Sequence, residues 1–201
     1  MLTLGSFALN TSMCIYVTNW LPQVWRTFNQ RKIHDLSQIM VVLIVIGWSA
    51  DLLYGRAYSM PYQYIFVSFL GCVQTFLWVM LLAKRAFLST TLLYACVALI
   101  TMAVLFPESH MTLIKTMPIL TVAQSAFWVS MLAQVYKSFK RKSARDISLL
   151  TYGMSTVGWM CSAIAAHQLG WEHQNFVNLV GMTLFHVVVF SVLFYYRLKT
   201  S

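Results

Sequence analysis

Two apolar segments of this sequence carry the side chains best suited to binding a solute. Asp51 is the only acidic residue placed well inside an apolar segment. A carboxylate in such surroundings is costly, so it faces a cavity, pairs with another group or stays protonated. At helical spacing Asp51 shares one face with Gly47 and Trp48. A second segment carries the matching stripe of Gly158, Trp159 and Ser162.

These two stripes have the chemistry of a binding site for a small polar solute. The flat face of a tryptophan holds an aliphatic, sugar or cationic group. Asp51 is suited to bind a substrate ammonium or to carry a coupled proton. We therefore predict that the solute is bound by Trp48, Asp51, Trp159 and Ser162. The alternatives are a structural pairing of Asp51 near the end of its helix, and packing or interfacial anchoring for both tryptophans.

The last apolar segment adds a second titratable group. Asn178, Met182 and His186 are spaced by four positions and therefore share one helical face. His186 lies near the middle of that segment, and the ordinary pKa of histidine is close to neutrality. We predict that His186 and Asp51 relay protons. A histidine that only packs against its neighbours is the equal alternative.

The composition indicates that these segments span a membrane. Hydrophobic residues make up 59% of the 201-residue chain and charged residues only 9%, against ~25% in a soluble domain. A helix needs ~20 residues to cross a ~30 Å hydrocarbon core. The sequence therefore predicts an all-α membrane protein of seven transmembrane helices. The apolar runs cover residues 4–27, 37–57, 62–83, 87–106, 119–139, 147–167 and 175–196.

The basic residues predict the orientation of the chain. Lysine and arginine are enriched in cytoplasmic loops, and the side of the loops alternates with each crossing. One side receives only Arg56 and Lys115. The other is predicted to be cytoplasmic, with the amino terminus outside or in a lumen and the carboxyl terminus in the cytoplasm; the net charge of +9 reflects this bias rather than nucleic-acid binding. Its basic residues are Arg26, Arg31, Lys32, Lys84, Arg85, Lys137, Lys140, Arg141, Lys142, Arg145, Arg197 and Lys199.

The chain contains an internal repeat at a spacing of 111 positions. Three predicted spans recur and one intervenes, so both copies cross the membrane the same way up, as parallel repeats do. We predict a first three-helix bundle in residues 1–85, a linker helix in 86–110 and a second bundle in 111–201. Leu21, Gln23, Val24, Phe28, Asp35, Ser37, Gly47 and Trp48 recur as Leu132, Gln134, Val135, Phe139, Asp146, Ser148, Gly158 and Trp159.

Part of this repeat resembles a known family. Pro22 and Gln23 stand in the string Trp20-Leu21-Pro22-Gln23-Val24-Trp25, and Asp35-Leu36-Ser37 follows a basic loop. This pair of motifs resembles the PQ-loop repeat family of seven-span transporters, and the resemblance extends through both copies. The second copy departs from the pattern, because Ala133 stands where proline is expected before Gln134.

The resemblance implies carriage of a small polar solute by alternating access, with Pro22 as a hinge. The family includes lysosomal exporters of cystine and of cationic amino acids, and it shares its fold with the SWEET sugar transporters and the KDEL cargo receptor. Because Ala133 keeps the backbone donor that Pro22 lacks, the first bundle is expected to move more than the second. Gln23 and Gln134 are predicted to line the solute path or to form interhelical hydrogen bonds. A helix-end kink without a gating role is the alternative for Pro22.

Comparison with SWEET-like chains also bears on the solute. Asn178 matches the position of a solute-binding asparagine in those transporters, although the first copy has Val67 there. We therefore predict Asn178 as a further solute-binding residue. Asp51 stands where those chains tend to place a sugar-stacking tryptophan, which favours a charged solute over a sugar.

Two acids precede the second and sixth predicted spans. Asp35 and Asp146 each stand two residues before a serine, Ser37 or Ser148. We predict that both carboxylates cap the following helix at its amino end. A part in proton coupling, as for acids of this region in the cystine exporters, is the lesser alternative.

The leading hypothesis is a carrier of an amino acid or similar small polar solute, with proton coupling as an added element. We find no nucleophile paired with a base, no phosphate-binding glycine loop and no metal cluster, so no enzyme, cofactor or metal site is predicted. The alternatives are a SWEET-like sugar facilitator and a non-transporting receptor or assembly factor of the same fold. The predicted partners are the solute, protons and the bilayer, without nucleic acid, and a monomer suffices. A bacterial inner membrane and a lysosome-like membrane both fit the charge bias.

Overall fold

The computed structural model describes residues 3–29, 34–84, 87–115, 118–171 and 173–200, apart from the side chains of 173–175 and 200. Over these residues the chain is helical and contains no strand. A 3₁₀ turn covers Glu108–His110. The helices are α1 (Leu4–Thr18), α2 (Leu21–Asn29), α3 (Gln38–Ala57), α4 (Tyr62–Lys84), α5 (Thr90–Leu105), α6 (Met111–Lys115), α7 (Ile119–Arg141), α8 (Leu149–Gln168) and α9 (His173–Thr200).

Five of the described helices are long and apolar enough to cross a membrane, namely α3, α4, α7, α8 and α9. Each offers at least 20 residues in this respect, which at ~1.5 Å per residue matches the ~30 Å hydrocarbon core. A sixth crossing is added if α5 counts with the turn and α6 that follow it, which bend away by 91°. The all-helical membrane class predicted from composition is therefore confirmed.

The first predicted span is divided into two helices. Asn19 and Trp20 separate α1 from α2, and Pro22 lies in the first turn of α2. A proline is tolerated there because the backbone N–H groups of a first helical turn have no partner within the helix. In the second copy, α7 runs without interruption through Ala133 and Gln134.

Serines rather than aspartates cap the helices that follow the two motifs. The Ser37 hydroxyl accepts a hydrogen bond from the Met40 N–H, and the Ser148 hydroxyl accepts one from the Thr151 N–H. The prediction that Asp35 and Asp146 cap these helices is wrong. Their carboxylates bind backbone groups of the other copy of the repeat, as described below.

Two helix pairs form the centre of the molecule. The most extensive contacts join α3 to α7 and α1 to α8, while α4 packs on α3 and α9 on α8. The helix bounds follow the sequence repeat, because a shift of 111 positions carries α3 onto α8 and the first residue of α4 onto that of α9. The sequence repeat therefore corresponds to a repeat in helix bounds for α3 and α8, and for the first residues of α4 and α9.

The two ends of the bundle differ in the number of basic side chains that they carry. We call one end the basic end, where α2, α4, α7 and α9 finish and α3, α5 and α8 begin; the opposite end is the far end. Arg56 and Lys115 lie at the far end, and Arg56 donates to carbonyl groups at the end of α5. Arg31, Lys32 and Arg85 lie outside the described residues. The described basic end carries Arg26, Lys84, Lys137, Lys140, Arg141, Lys142, Arg145, Arg197 and Lys199.

We predict that Gly47→Ala destabilises the protein, although alanine is the better helix former by about 1 kcal/mol. A Cβ at Gly47 would lie 2.7 Å from a ring carbon of Phe127, and overfilling a packed interior costs about 1–3 kcal/mol. The measurement is the thermal unfolding midpoint of the purified protein in detergent.

Gly153→Ala is the matched control. A Cβ at Gly153 would meet its nearest neighbour, the Phe190 ring, at 3.6 Å, which is ordinary contact. Its midpoint should stay unchanged or rise, and equal midpoints for the Gly47 and Gly153 variants would contradict the packing described here.

Candidate functional site

A cavity of about 90 Å³ lies between helices of both copies of the repeat. We call it the inner cavity. Four of the predicted solute-binding residues line it, namely Trp48, Asp51, Trp159 and Ser162. Residues near the far end, including Met60, Gln63 and Trp171, also line it.

The fifth predicted solute-binding residue, Asn178, is not among the lining residues of the inner cavity but contacts one of them. Its amide nitrogen donates to the side-chain oxygen of Gln124 at 2.7 Å, and Gln124 lines the cavity. Asn178 therefore orients a lining residue in this structure. Sequence reasoning missed Gln124, which lies on α7 within the second copy.

The Asp51 carboxylate accepts hydrogen bonds from two neutral hydroxyl groups. Tyr64 donates to one oxygen and Ser68 to the other, and both donors also line the inner cavity. Neither lysine nor arginine occurs among the described residues that line it. The carboxylate thus has polar partners but no cation from the described chain. Tyr64 and Ser68 are spaced by four on α4, so a shared face with two hydroxyls was the sequence signal that could have found them.

Four aromatic rings close the inner side of this cavity, and we call them the aromatic quartet: Tyr16, Trp48, Phe127 and Trp159. Tyr16 meets Trp48 and Trp159 edge to face, with ring centroids 6.4 and 5.5 Å apart. Phe127 meets the same two tryptophans at 5.2 and 6.2 Å. Each ring of the quartet therefore contacts two others edge to face, a geometry that aromatic pairs prefer.

The aromatic quartet follows the repeat and depends on the two central glycines. Tyr16 and Phe127 occupy equivalent positions in the two copies, as do the two tryptophans. The Phe127 ring lies against Gly47, and the Tyr16 ring lies against Gly158. Close packing on a glycine in each copy brings one ring from each first helix to the middle of the bundle.

A second, smaller cavity of about 20 Å³ lies on the other side of the aromatic quartet. All four members of the quartet line it as well, together with Asn19, Ser155 and His186. His186 is 1% exposed; its Nδ1 lies 2.9 Å from the Met182 carbonyl oxygen, and its ring centroid is 5.8 Å from that of Trp159. The predicted proton partners His186 and Asp51 thus line different cavities, with the quartet between them.

Two buried polar atoms at these cavities have no hydrogen-bond partner in the described structure. They are the Trp48 Nε1 and the Asn19 Oδ1. Each of these side chains lines one cavity or both. Buried polar groups are normally paired, so a cluster without partners indicates a place for a polar ligand or water.

Gln23 and Gln134 join the two copies of the repeat at the basic end. The Gln23 amide donates to the Asp146 carbonyl at 3.2 Å and accepts from the Ser148 N–H at 2.8 Å. The Gln134 amide does the same in the opposite direction, donating to the Asp35 carbonyl at 2.8 Å and accepting from the Ser37 N–H at 2.9 Å. The predicted interhelical role of both glutamines agrees with these contacts.

The two aspartates of the motifs complete this exchange. The Asp35 carboxylate accepts from the Ser143 hydroxyl at 2.6 Å and the Arg145 N–H at 2.9 Å. The Asp146 carboxylate accepts from the His34 and Asp35 N–H groups at 2.6 and 2.9 Å. We call the bonds made by Gln23, Gln134, Asp35 and Asp146 the cross-repeat network.

Basic side chains reinforce the same closure. The Arg26 guanidinium donates to the Arg145 carbonyl through Nε at 2.9 Å, and Arg197 donates to the same oxygen. The Lys137 ammonium donates to the Leu36 carbonyl. In this structure the basic end is therefore closed by polar bonds between the two copies, whereas the inner cavity extends toward the far end.

No protein-family model matches the chain, and no curated protein matches it in sequence.

We predict that Gln23→Leu speeds hydrogen exchange of the Ser148 amide and leaves exchange of the Ser37 amide unchanged. The variant loses the acceptor of the Ser148 N–H, and a net hydrogen-bond contribution of about 1 kcal/mol predicts roughly fivefold to tenfold faster exchange of that amide. Gln134→Leu should have the same effect on the Ser37 N–H. The measurement is hydrogen–deuterium exchange of peptides covering 34–37 and 143–148.

Gln74→Leu is the control for this experiment. Gln74 donates to the Val17 carbonyl rather than to a group of the cross-repeat network, so exchange in both peptides should match the wild type. Equal protection of Ser148 in the wild type and in Gln23→Leu would show that the glutamine bond does not hold this end closed.

Proposed function

We propose that the chain is a seven-span membrane carrier that moves a small polar solute by alternating access. In this proposal α1 with α2 forms the first span and α5 the fourth. The first three-helix bundle lies in residues 1–85, the linker helix in 86–110 and the second bundle in 111–201. The agreement between helix bounds and the sequence repeat supports this 3+1+3 arrangement.

The orientation of the proposal places the basic end in the cytoplasm. Among the described residues, basic side chains concentrate at that end, and only Arg56 and Lys115 lie at the other. The amino terminus is then outside or lumenal, and the inner cavity extends toward that side. In this proposal the structure is a state closed on its cytoplasmic side.

One observation carries the proposal: a carboxylate faces a cavity between the two repeats with no cation from the described chain beside it. Charged groups within membrane-spanning sequence are costly and mark solute or proton pathways. Tyr64 and Ser68 hold the Asp51 carboxylate by neutral hydroxyls, so its countercharge is left for a proton or a cationic solute. An uncharged sugar would leave this charge unbalanced.

The break between α1 and α2 supports Pro22 as the hinge. Opening of the basic end requires the cross-repeat network to separate, and α2 carries Gln23 within that network. Since α7 is continuous at the equivalent position, we propose that the first bundle undergoes the larger movement. The aromatic quartet would then part and connect the two cavities.

The leading solute class is an amino acid, with its ammonium group on Asp51 and protons as coupled ions. His186 is the group lining the second cavity whose ordinary pKa lies near neutrality. We propose that it receives a proton when the aromatic quartet separates.

The first test is solute flux in proteoliposomes. Radiolabelled lysine, arginine, cystine and glucose are each supplied with and without an imposed pH gradient. We expect flux of an ammonium-bearing solute, reduced about tenfold or more in Asp51→Asn, because a hydrogen bond to a charged group contributes about 1.5–3 kcal/mol.

Glu108→Gln is the matched control, since it removes an exposed carboxylate outside both cavities; its flux should equal that of the wild type. Glucose flux indifferent to the gradient and to Asp51→Asn would identify a sugar facilitator instead. Absence of flux with every solute would redirect attention to a receptor or assembly factor.

Proton coupling has its own variant, His186→Gln. The amide retains a hydrogen-bonding group but does not titrate near neutral pH, so we expect loss of accumulation driven by a pH gradient. Counterflow exchange, which needs no net proton movement, should persist. Unchanged gradient-driven accumulation in this variant would remove His186 from the coupling mechanism.

A further inference from the structure

The charges around the inner cavity restrict the solute beyond the requirement for an ammonium group. Asp51 is the only charged side chain among the described lining residues. An α-amino acid that placed its ammonium on Asp51 would hold its own carboxylate only a few bonds away. Two carboxylates would then share an apolar cavity without a basic partner, and like charges repel strongly where the dielectric constant is low. A cation that carries no carboxylate avoids this cost.

The remaining walls favour an alkylated ammonium over a primary one. Besides the aromatic quartet, the inner cavity is lined by Tyr54, Tyr64 and Trp171. Aromatic walls attract cations through the negative face of each ring, and cages of such rings bind quaternary ammonium groups. A primary ammonium needs three hydrogen-bond acceptors. Each Asp51 oxygen already accepts one hydroxyl and keeps only part of its accepting capacity for a solute. An alkylated ammonium needs fewer acceptors or none.

An unpaired donor and the size of the cavity add two further restrictions. The indole N–H of Trp48 is a donor without a partner in the described structure. A hydroxyl oxygen on the solute would satisfy such a donor. The volume of about 90 Å³ is well below the ~300–1,000 Å³ of pockets for drug-sized ligands, so a compact solute fits this state best.

From these observations we infer that the inner cavity selects a compact organic cation with an alkylated ammonium group and no carboxylate. The inference rests on the proposed carrier and replaces its leading solute class, an amino acid, by a cation of another kind. The two differ in the alkylation of the ammonium and in the carboxylate, and ligand pairs chosen to differ at the carboxylate test the latter.

The test measures binding to the full-length protein in detergent by isothermal titration calorimetry. Three probes share one shape: choline, glycine betaine, which replaces the hydroxymethyl group of choline by a carboxylate, and the neutral isostere with carbon in place of nitrogen. We expect choline to bind at least about tenfold more tightly than either of the others. Lysine and cadaverine, its decarboxylated form, provide a second pair, and cadaverine should bind more tightly.

Comparable affinities for choline and betaine, comparable affinities for choline and its neutral isostere, or no binding of choline would each overturn the inference. These comparisons use the wild-type protein and do not depend on the folding of a variant. In Asp51→Asn, the preference for choline over its neutral isostere should shrink to the part that the aromatic rings supply, because the carboxylate charge is gone. A preference as large as that of the wild type would assign the selectivity to another group and also contradict the inference.

Flux measurements separate failure of this inference from failure of the proposed function. Transport of lysine, but not of cadaverine or choline, would overturn the inference and agree with the carrier hypothesis. If choline binds with the expected selectivity but is not transported, the cation site is supported and the carrier hypothesis is contradicted.

Discussion

The close contact between the two copies of the repeat is the constraint on which the cavities, the aromatic quartet and the closed basic end depend. Helices in lipid gain little from burying apolar surface against one another, so small residues that permit close packing largely determine where they meet. Gly47 admits the Phe127 ring, and Gly158 admits the Tyr16 ring. These contacts join α3 to α7 and α1 to α8, which brings Trp48 and Trp159 together between the bundles. A side chain larger than hydrogen at either glycine would move both walls of the site.

Buried polar groups are distributed unevenly along the bundle, and this difference separates a closed end from a receptive middle. At the basic end, the amides of Gln23 and Gln134 each use their donor and their acceptor across the repeat boundary. Around the cavities, the Trp48 indole nitrogen and the Asn19 Oδ1 lack partners within the described chain. Satisfied networks rigidify a structure, whereas unpaired groups in a low dielectric favour binding of a complementary molecule.

In the proposed carrier, these two regions have complementary tasks. The cross-repeat network holds one end closed while the inner cavity takes up solute from the other, and the aromatic quartet separates the two sides. The cross-repeat network lies at helix ends rather than in the middle of the membrane. When the basic end opens, water can therefore replace the hydrogen-bond partners that the glutamine amides lose. Asp51 lies deeper in the bundle. There a solute cation, rather than water, can serve as the polar partner of the carboxylate. The break before Pro22 allows α2 to move with the network while α1 retains its contact with α8.

The sequence alone determined the membrane class, the repeat at 111 positions and the candidate stripe of Trp48, Asp51, Trp159 and Ser162, because hydropathy and helical spacing are local properties of the chain. The division of the first span beside Pro22 was also foreshadowed, since proline acts on its own helix. The tertiary structure decided which groups meet. The Tyr64 and Ser68 hydroxyls on Asp51, the quartet, the separation of Asp51 from His186, and the exchange of Asp35 and Asp146 between copies all depend on the relative placement of distant helices. The carboxylates of Asp35 and Asp146 are able either to cap a helix or to accept hydrogen bonds from the other copy. The packing of the two bundles determines which of these contacts they make.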